Sequence, residues 1–165
     1  MADVEKPSVK QRTASAIAAA CLVCAPLTAS FEGLRTHPYR DPAPKHTMTV
    51  CYGETNVPMR VYSRDECGAL LRQNLGKVYA AAIAQCLPQL VVPEHKYMFA
   101  ALIDAAYNAG QGNVCRKSPM AARIRAGQWG RVCRSFIGWH TLPGTPAHNG
   151  LTRRRNTEAS LCSKD

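Results

Sequence analysis

Between Arg12 and Glu32 the chain carries no charge: nineteen consecutive positions, Thr13 to Phe31, are apolar, small or hydroxylic. Lys6, Lys10 and Arg12 precede the run and an acid ends it. As a helix it would extend about 28 Å at ~1.5 Å per residue, just enough to cross the hydrocarbon layer of a bilayer. Seven of the nineteen are Ala and five are Thr, Ser or Pro, which leaves Ile17, Leu22, Val23, Leu27 and Phe31 as the bulky members and makes the hold on a membrane weak. Such a segment can enter a bilayer and later leave it. Other readings fit the same pattern. A cleavable signal peptide would use the small residues near Thr28, Ala29 and Ser30, and a lipoprotein site at Cys21 would follow Ala18 to Ala20 without the usual Leu. A helix buried in the core of an ordinary soluble domain is apolar all round as well.

The remainder is a globular sequence. With 165 residues and 46% hydrophobic content it has enough apolar surface for one real core, which excludes a disordered tail or a disulfide-only miniprotein. Eight cysteines favour an oxidising destination over a reduced cytosol. The formal charge of +10 implies an anionic partner without choosing among nucleic acid, membrane and cell-envelope polymer.

Beyond Glu32, Pro38, Pro42 and Pro44 predict a polar connection that cannot continue the helix. Thr47 to Tyr52 reads as a strand ending at Gly53. Ser63 with Glu66 forms a capping box that opens a helix running to Cys86, where Pro88 stops it. Pro93 and Glu94 open the next helix, whose Tyr97, Met98, Ala101, Leu102, Ala105 and Ala106 recur at helical spacing up to Gly110. Shorter helices are predicted at Met120 to Arg125 and Trp129 to Ile137, then a loop from Thr141 to Gly150 and a last helix from Leu151 to Leu161. The class is α+β.

One stretch carries chemistry. Glu32 lies beside the long apolar run and Asp41 in a polar loop nine positions later. Glycoside hydrolysis needs one carboxyl group that holds a proton for the departing sugar oxygen and another that stays ionised. Burial favours the protonated form and polar contacts the ionised one, so Glu32 is the natural acid and Asp41 the natural base.

These residues resemble the phage-type lysozymes, the endolysin muramidases, whose signature is Glu, eight residues, Asp or Cys, five residues, Thr. Thr47 satisfies the second interval by count. The family's Thr directly precedes a Val-Cys-Tyr-Gly-like strand, which selects Thr49 across a two-residue insertion and keeps Thr47 as the alternative. The likeness continues through Ser63 to Cys67, Ala105 to Gly110, and Leu151 to Arg155 with Glu158 and Leu161.

It implies a lysozyme-like fold, a small N-terminal β region and a larger helical lobe with the cleft between them. It also implies hydrolysis of the β-1,4 bond between N-acetylmuramic acid and N-acetylglucosamine of bacterial peptidoglycan. Glu32 would protonate the leaving oxygen, Asp41 would serve water or the developing cation, and Thr49 would position the water. Asn108 and Arg154 are candidate substrate contacts; for Arg153 to Arg155, pairing with Glu32 or a solvated basic face are the other readings. Trp129 and Trp139 either stack on sugar or pack in the core. No cofactor and no metal are expected, nor a nucleic-acid partner, and a monomer is. One departure stands out: the family carries His after the Tyr-Gly turn, where this chain has Glu54. A chitinase, a lytic transglycosylase and a non-catalytic cationic wall or membrane disruptor remain as alternatives.

Signal peptidase cleavage near Ser30 would strip Glu32 of the helix that positions it. The resemblance therefore extends to the signal-anchor-release endolysins, with residues 1–30 as a weakly apolar anchor and 31–165 as the catalytic domain. Such a protein uses the host export machinery, associates transiently with the inner membrane through residues 13–31, and acts in the periplasm after release; storage in the host cytoplasm until membrane disruption is the alternative. Cys21 and Cys24 are then expected to join disulfides on release, with Cys51 as the most consequential partner, making these three the regulatory cysteines.

Overall fold

The computed structural model describes residues 7–41 and 46–165. Lys6, Pro42 and Pro44 lie outside them. The uncharged run is one long helix, α1 (Val9–Glu32), opened by a capping box in which Ser8 Oγ accepts from the Gln11 amide and Gln11 Oε1 accepts from the Ser8 amide. Pro26 sits inside it without breaking it. Pro26 and Leu22 both lie on the exposed side, away from the core. The opposite side, Ala20, Cys21, Cys24 and Thr28, is buried.

Two antiparallel strands follow, β1 (Arg35–Arg40) and β2 (Met48–Cys51), with Tyr39 opposite Thr49 and a register irregularity between Arg35 and Tyr39. The Pro-rich connection expected after Glu32 is thus partly a strand. Pro38 is tolerated because in a two-stranded sheet each strand has an open edge, and because it falls within the irregular stretch.

The helical lobe comprises α2 (Arg64–Asn74), a π-helical stretch (Leu75–Ala80), α3 (Ala81–Cys86), α4 (Lys96–Ala109), α5 (Gln111–Lys117), α6 (Pro119–Arg125), α7 (Trp129–Val132) with a 3₁₀ extension to Phe136, and α8 (His148–Cys162). The Ser63–Glu66 capping box forms as the sequence predicts. Helix α4 is the axis of the core: Met98 through Ala106 are all buried, and four alanines among them let α1 and α8 approach closely. Gly110 ends it at φ 88, a conformation that favours glycine.

Three disulfides close the lobe. Cys51–Cys67 ties β2 to α2, Cys86–Cys115 ties α3 to α5, and Cys133–Cys162 ties the 3₁₀ turn to α8. Cys21 and Cys24 remain buried thiols. The expected entry of these two into disulfides is not what the structure shows. The six downstream cysteines satisfy one another, and both α1 sulfurs face the core, where Cys51 does not reach them.

Candidate active site

The site is built where α1 runs into the sheet. Glu32 is the last residue of α1, placed there because Gly33 adopts φ 73 and turns the chain into β1. Its side chain is 25% exposed rather than buried, because it sits at the helix end over its partner. That partner is Arg154 of α8, whose Nη1 donates to Glu32 Oε1 at 2.6 Å. The ring of Phe31 lies 5.2 Å from the same guanidinium.

Arg154 is itself held from behind. Its Nε and Nη2 donate to Asp104 Oδ2 and Oδ1, each at 2.9 Å, and Thr28 of α1 donates its hydroxyl to Asp104 Oδ1 at 2.7 Å. Asp104 and Thr28 are fully buried and Arg154 is 4% exposed. Burial by itself lowers an arginine's pKa, but the hydrogen bonds and charges of Asp104 and Glu32 outweigh it and raise that of Arg154. Neighbouring Arg155 is buried too. It pairs with Glu158 at 2.6 Å and donates to Asn108 Oδ1. Burial, the largest influence on each member of that pair, lowers Arg155 and raises Glu158.

The solvated basic face is therefore found only at Arg153. Arg154, expected against substrate, sits behind Glu32 with its guanidinium committed to two carboxylates, and Asn108 is tied to Arg155. Leaving Asp104 or Glu158 unpaired in the core would cost far more than burying these arginines with them. Trp139 packs beneath Arg155 at 5.1 Å and Trp129 stacks on His95 at 4.2 Å; both rest against the core.

On the strand side, Asp41 follows β1, and its amide donates to the Thr47 carbonyl at 3.0 Å. Thr49 is 3% exposed and gives its hydroxyl proton to that same carbonyl at 3.1 Å. Asp41, Thr47 and Thr49 are thus brought together around one carbonyl oxygen, with both motif threonines in place. A hydroxyl that donates to a carbonyl keeps its oxygen lone pairs available as acceptors.

Glu54 occupies the turn after β2, where it and Val50 exchange backbone hydrogen bonds. It is 7% exposed; Oε2 accepts from Asn74 at 3.0 Å and Oε1 has no hydrogen-bond partner among the described residues. Burial raises its pKa, partly opposed by Asn74. A cavity of about 380 Å³ opens beside it, lined also by Asn74, Lys77 and Tyr79. Tyr107 bridges the lobes by donating to the Tyr52 carbonyl at 2.7 Å. Its phenol and that of Tyr79 are raised first by burial and then by the charges of Glu54 and Glu32.

Thr28 and Asp104 are the positions that sequence reasoning passed over. The available signal was a lone acid, Asp104, between Ile103 and Ala105 on an otherwise apolar helix.

The family profile named "Phage lysozyme" matches residues 29–158. The chain belongs to the phage lysozyme family. It is a lytic glycosidase, an endolysin that hydrolyses peptidoglycan. This phage lysozyme is 33% identical over 135 residues to a protein described as a SAR-endolysin of Bacteriophage PS119, covering 80% of this chain and 76% of the relative. It is 34% identical over 134 residues to one so described from Escherichia phage Mu, covering 79% and 73%. Its fold matches the solved muramidase domain of SpmX from Asticaccaulis excentricus, with a TM-score of 0.72 at 23% identity over 87% of this chain and 96% of that one. The profile match includes Glu32, Asp41, Thr49, Asp104 and Arg154 and begins one residue after Thr28.

Proposed function

We propose that this endolysin cuts the β-1,4 bond between N-acetylmuramic acid and N-acetylglucosamine, with Glu32 as proton donor. The observation that carries this reading is the fixed, partly exposed Glu32 carboxyl, oriented through Oε1 by a buried arginine so that its other oxygen can carry the proton. Donation from that oxygen to the glycosidic oxygen releases the leaving sugar and leaves a carboxylate beside Arg154. Asp41 then orients or activates the water, or stabilises the cationic centre, and Thr49 positions the water as an acceptor. Product analysis on purified peptidoglycan with wild type and Glu32→Gln tests the assignment. Muropeptides with reducing ends are expected from the wild type, and Glu32→Gln should lose activity by about a hundredfold or more. Anhydro-muramic products would instead identify a transglycosylase.

The address belongs to the same proposal. Residues 1–30 serve as a releasable anchor and 31–165 as the catalytic domain, exported by host machinery, tethered in the inner membrane and active in the periplasm. Supporting this, α1 is 24 residues long and apolar enough to cross a bilayer, and the SAR-endolysin likeness points the same way. Fractionation of expressing cells before and after collapse of the membrane potential tests it: the protein should move from membrane to periplasm without losing its N-terminus. A mature N-terminus near Phe31 on an active enzyme would sink the anchor.

A further inference from the structure

Asp104 takes no part in the roles assigned to Glu32, Asp41 and Thr49, yet its two oxygens accept three hydrogen bonds at 2.7 to 2.9 Å in a fully buried position. Two come from Arg154 in a fork, which fixes the plane of the guanidinium and leaves Nη1 for Glu32. A general acid beside an arginine faces a conflict. The donor orients the carboxyl group, but its positive charge favours the ionised form, which cannot give a proton. A second carboxylate behind the arginine removes the conflict by supplying the counter-charge while leaving the donor in place.

We propose that Asp104 is a positioning residue of the reaction: it clamps Arg154 and offsets its charge, so that Glu32 keeps an orienting donor and still holds its proton. This rests on the reading of Glu32 as the acid.

The charges around the pair are consistent with that role. From α8, Arg155 and Glu158 face Asp104 but are paired with each other at 2.6 Å, and Glu158 stands 3.7 Å from Arg154 Nε. From α1 come Glu32 itself, Thr28 and the Cys24 thiol, whose sulfur lies 3.3 Å from the Thr28 hydroxyl. Tyr79 on the π-helical stretch and Tyr107 on α4 face Glu32 from across the junction, with Glu54 beyond them. Arg154 is thus the cation that Glu32 meets directly, and Asp104 the anion that holds it from the far side.

The test is the pH dependence of peptidoglycan hydrolysis in purified, disulfide-intact Asp104→Asn, Thr28→Val and Glu32→Gln proteins. Activity that needs a protonated acid falls as pH rises, so this acid sets the basic limb. Removing the Asp104 charge leaves Arg154 more positive toward Glu32, which loses its proton sooner. The basic limb of Asp104→Asn should move to lower pH by about one unit, a tenfold loss of rate above the limb. Thr28→Val removes a hydrogen bond and no charge; its Tm should fall while its limb stays in place. A folded Asp104→Asn with an unmoved limb, or an equal shift in Thr28→Val, overturns the proposal and leaves Asp104 as a purely structural residue. If Asp104→Asn does not fold, the smaller Asp104→Ser is read by the same limb. Activity retained in Glu32→Gln would instead reject the acid assignment, an outcome separate from either result at Asp104.

Discussion

Helix α1 and the lobe it packs on share one core but are attached to it differently. The lobe is closed by three disulfides, one of which joins it to β2. Helix α1 carries two cysteines and uses neither; Ala20, Cys21, Cys24 and Thr28 bury one side of it, and the one hydrogen bond that side sends to α4 runs from Thr28 to Asp104. Yet Glu32 belongs to α1. The element that carries the proposed acid is therefore the one that no disulfide ties to the core, and each of the following experiments presses on that contrast.

The largest effect is expected from deleting residues 1–30. It uncovers the α4 surface beneath Ala20 and Cys24 and leaves Asp104 without its Thr28 donor, so cooperative thermal unfolding, read by circular dichroism, and lysis of wall suspensions should both be lost. A truncated protein that melts cooperatively and lyses walls would break the comparison. Next comes the covalent side. Replacing Cys133 and Cys162 together by Ala opens a closure of 29 residues and should cost about 3 to 4 kcal/mol in urea unfolding, with the 16-residue Cys51–Cys67 closure slightly below it.

Thiol labelling sharpens the contrast from the α1 side. Burial pushes the Cys21 thiol up to about 11, and Cys24, more deeply buried, is raised further. At pH 8 about one Cys21 in a thousand is then thiolate, so iodoacetamide should label the folded protein at least a hundredfold more slowly than the urea-unfolded one. Rapid labelling without denaturant would mean that α1 leaves its seat under native conditions. The smallest effect belongs to Glu54. Its raised pKa means that the folded state binds a proton more tightly than the unfolded one, so its contribution to stability is present at low pH and fades as pH rises through the folded value. Glu54→Gln should flatten that decline in a series of urea midpoints, and an unchanged slope would contradict a buried, proton-holding Glu54.

What was legible in the sequence followed local rules. The Ser63–Glu66 capping box, the stop at Gly110 and the strand before Gly53 each depend on a few neighbouring residues, and each is where those residues put it. Helix α8 starts at His148, three residues earlier than Leu151, and α5 begins directly behind Gly110, where a glycine reads as an end and not as a joint. Strand β1 was hidden by Pro38, since the missing donor excludes a central strand but not an edge. The site divides in the same way. Glu32 and Asp41 stand out by spacing and Thr49 by the strand it opens, and the Arg155–Glu158 pair is an i,i+3 neighbour on one helix, whereas the burial of Arg154 depends on Asp104, 50 residues away, which only packing brings beside it.

The sequence by itself determined that a helix with a long uncharged run would end at Glu32, that a short sheet would follow, and that the two acids and the nearby threonines resemble the phage lysozyme motif. Periodicity, caps and motif intervals are properties of adjacent residues, so they can be read without coordinates. Tertiary structure decided which cysteines pair, which arginine meets Glu32, and that Asp104 and Thr28 stand behind it. Those outcomes follow from the cost of leaving a charge or a polar group unpaired in a core. That cost is set by what is nearby in space, which three helices distant in sequence settle only when they pack.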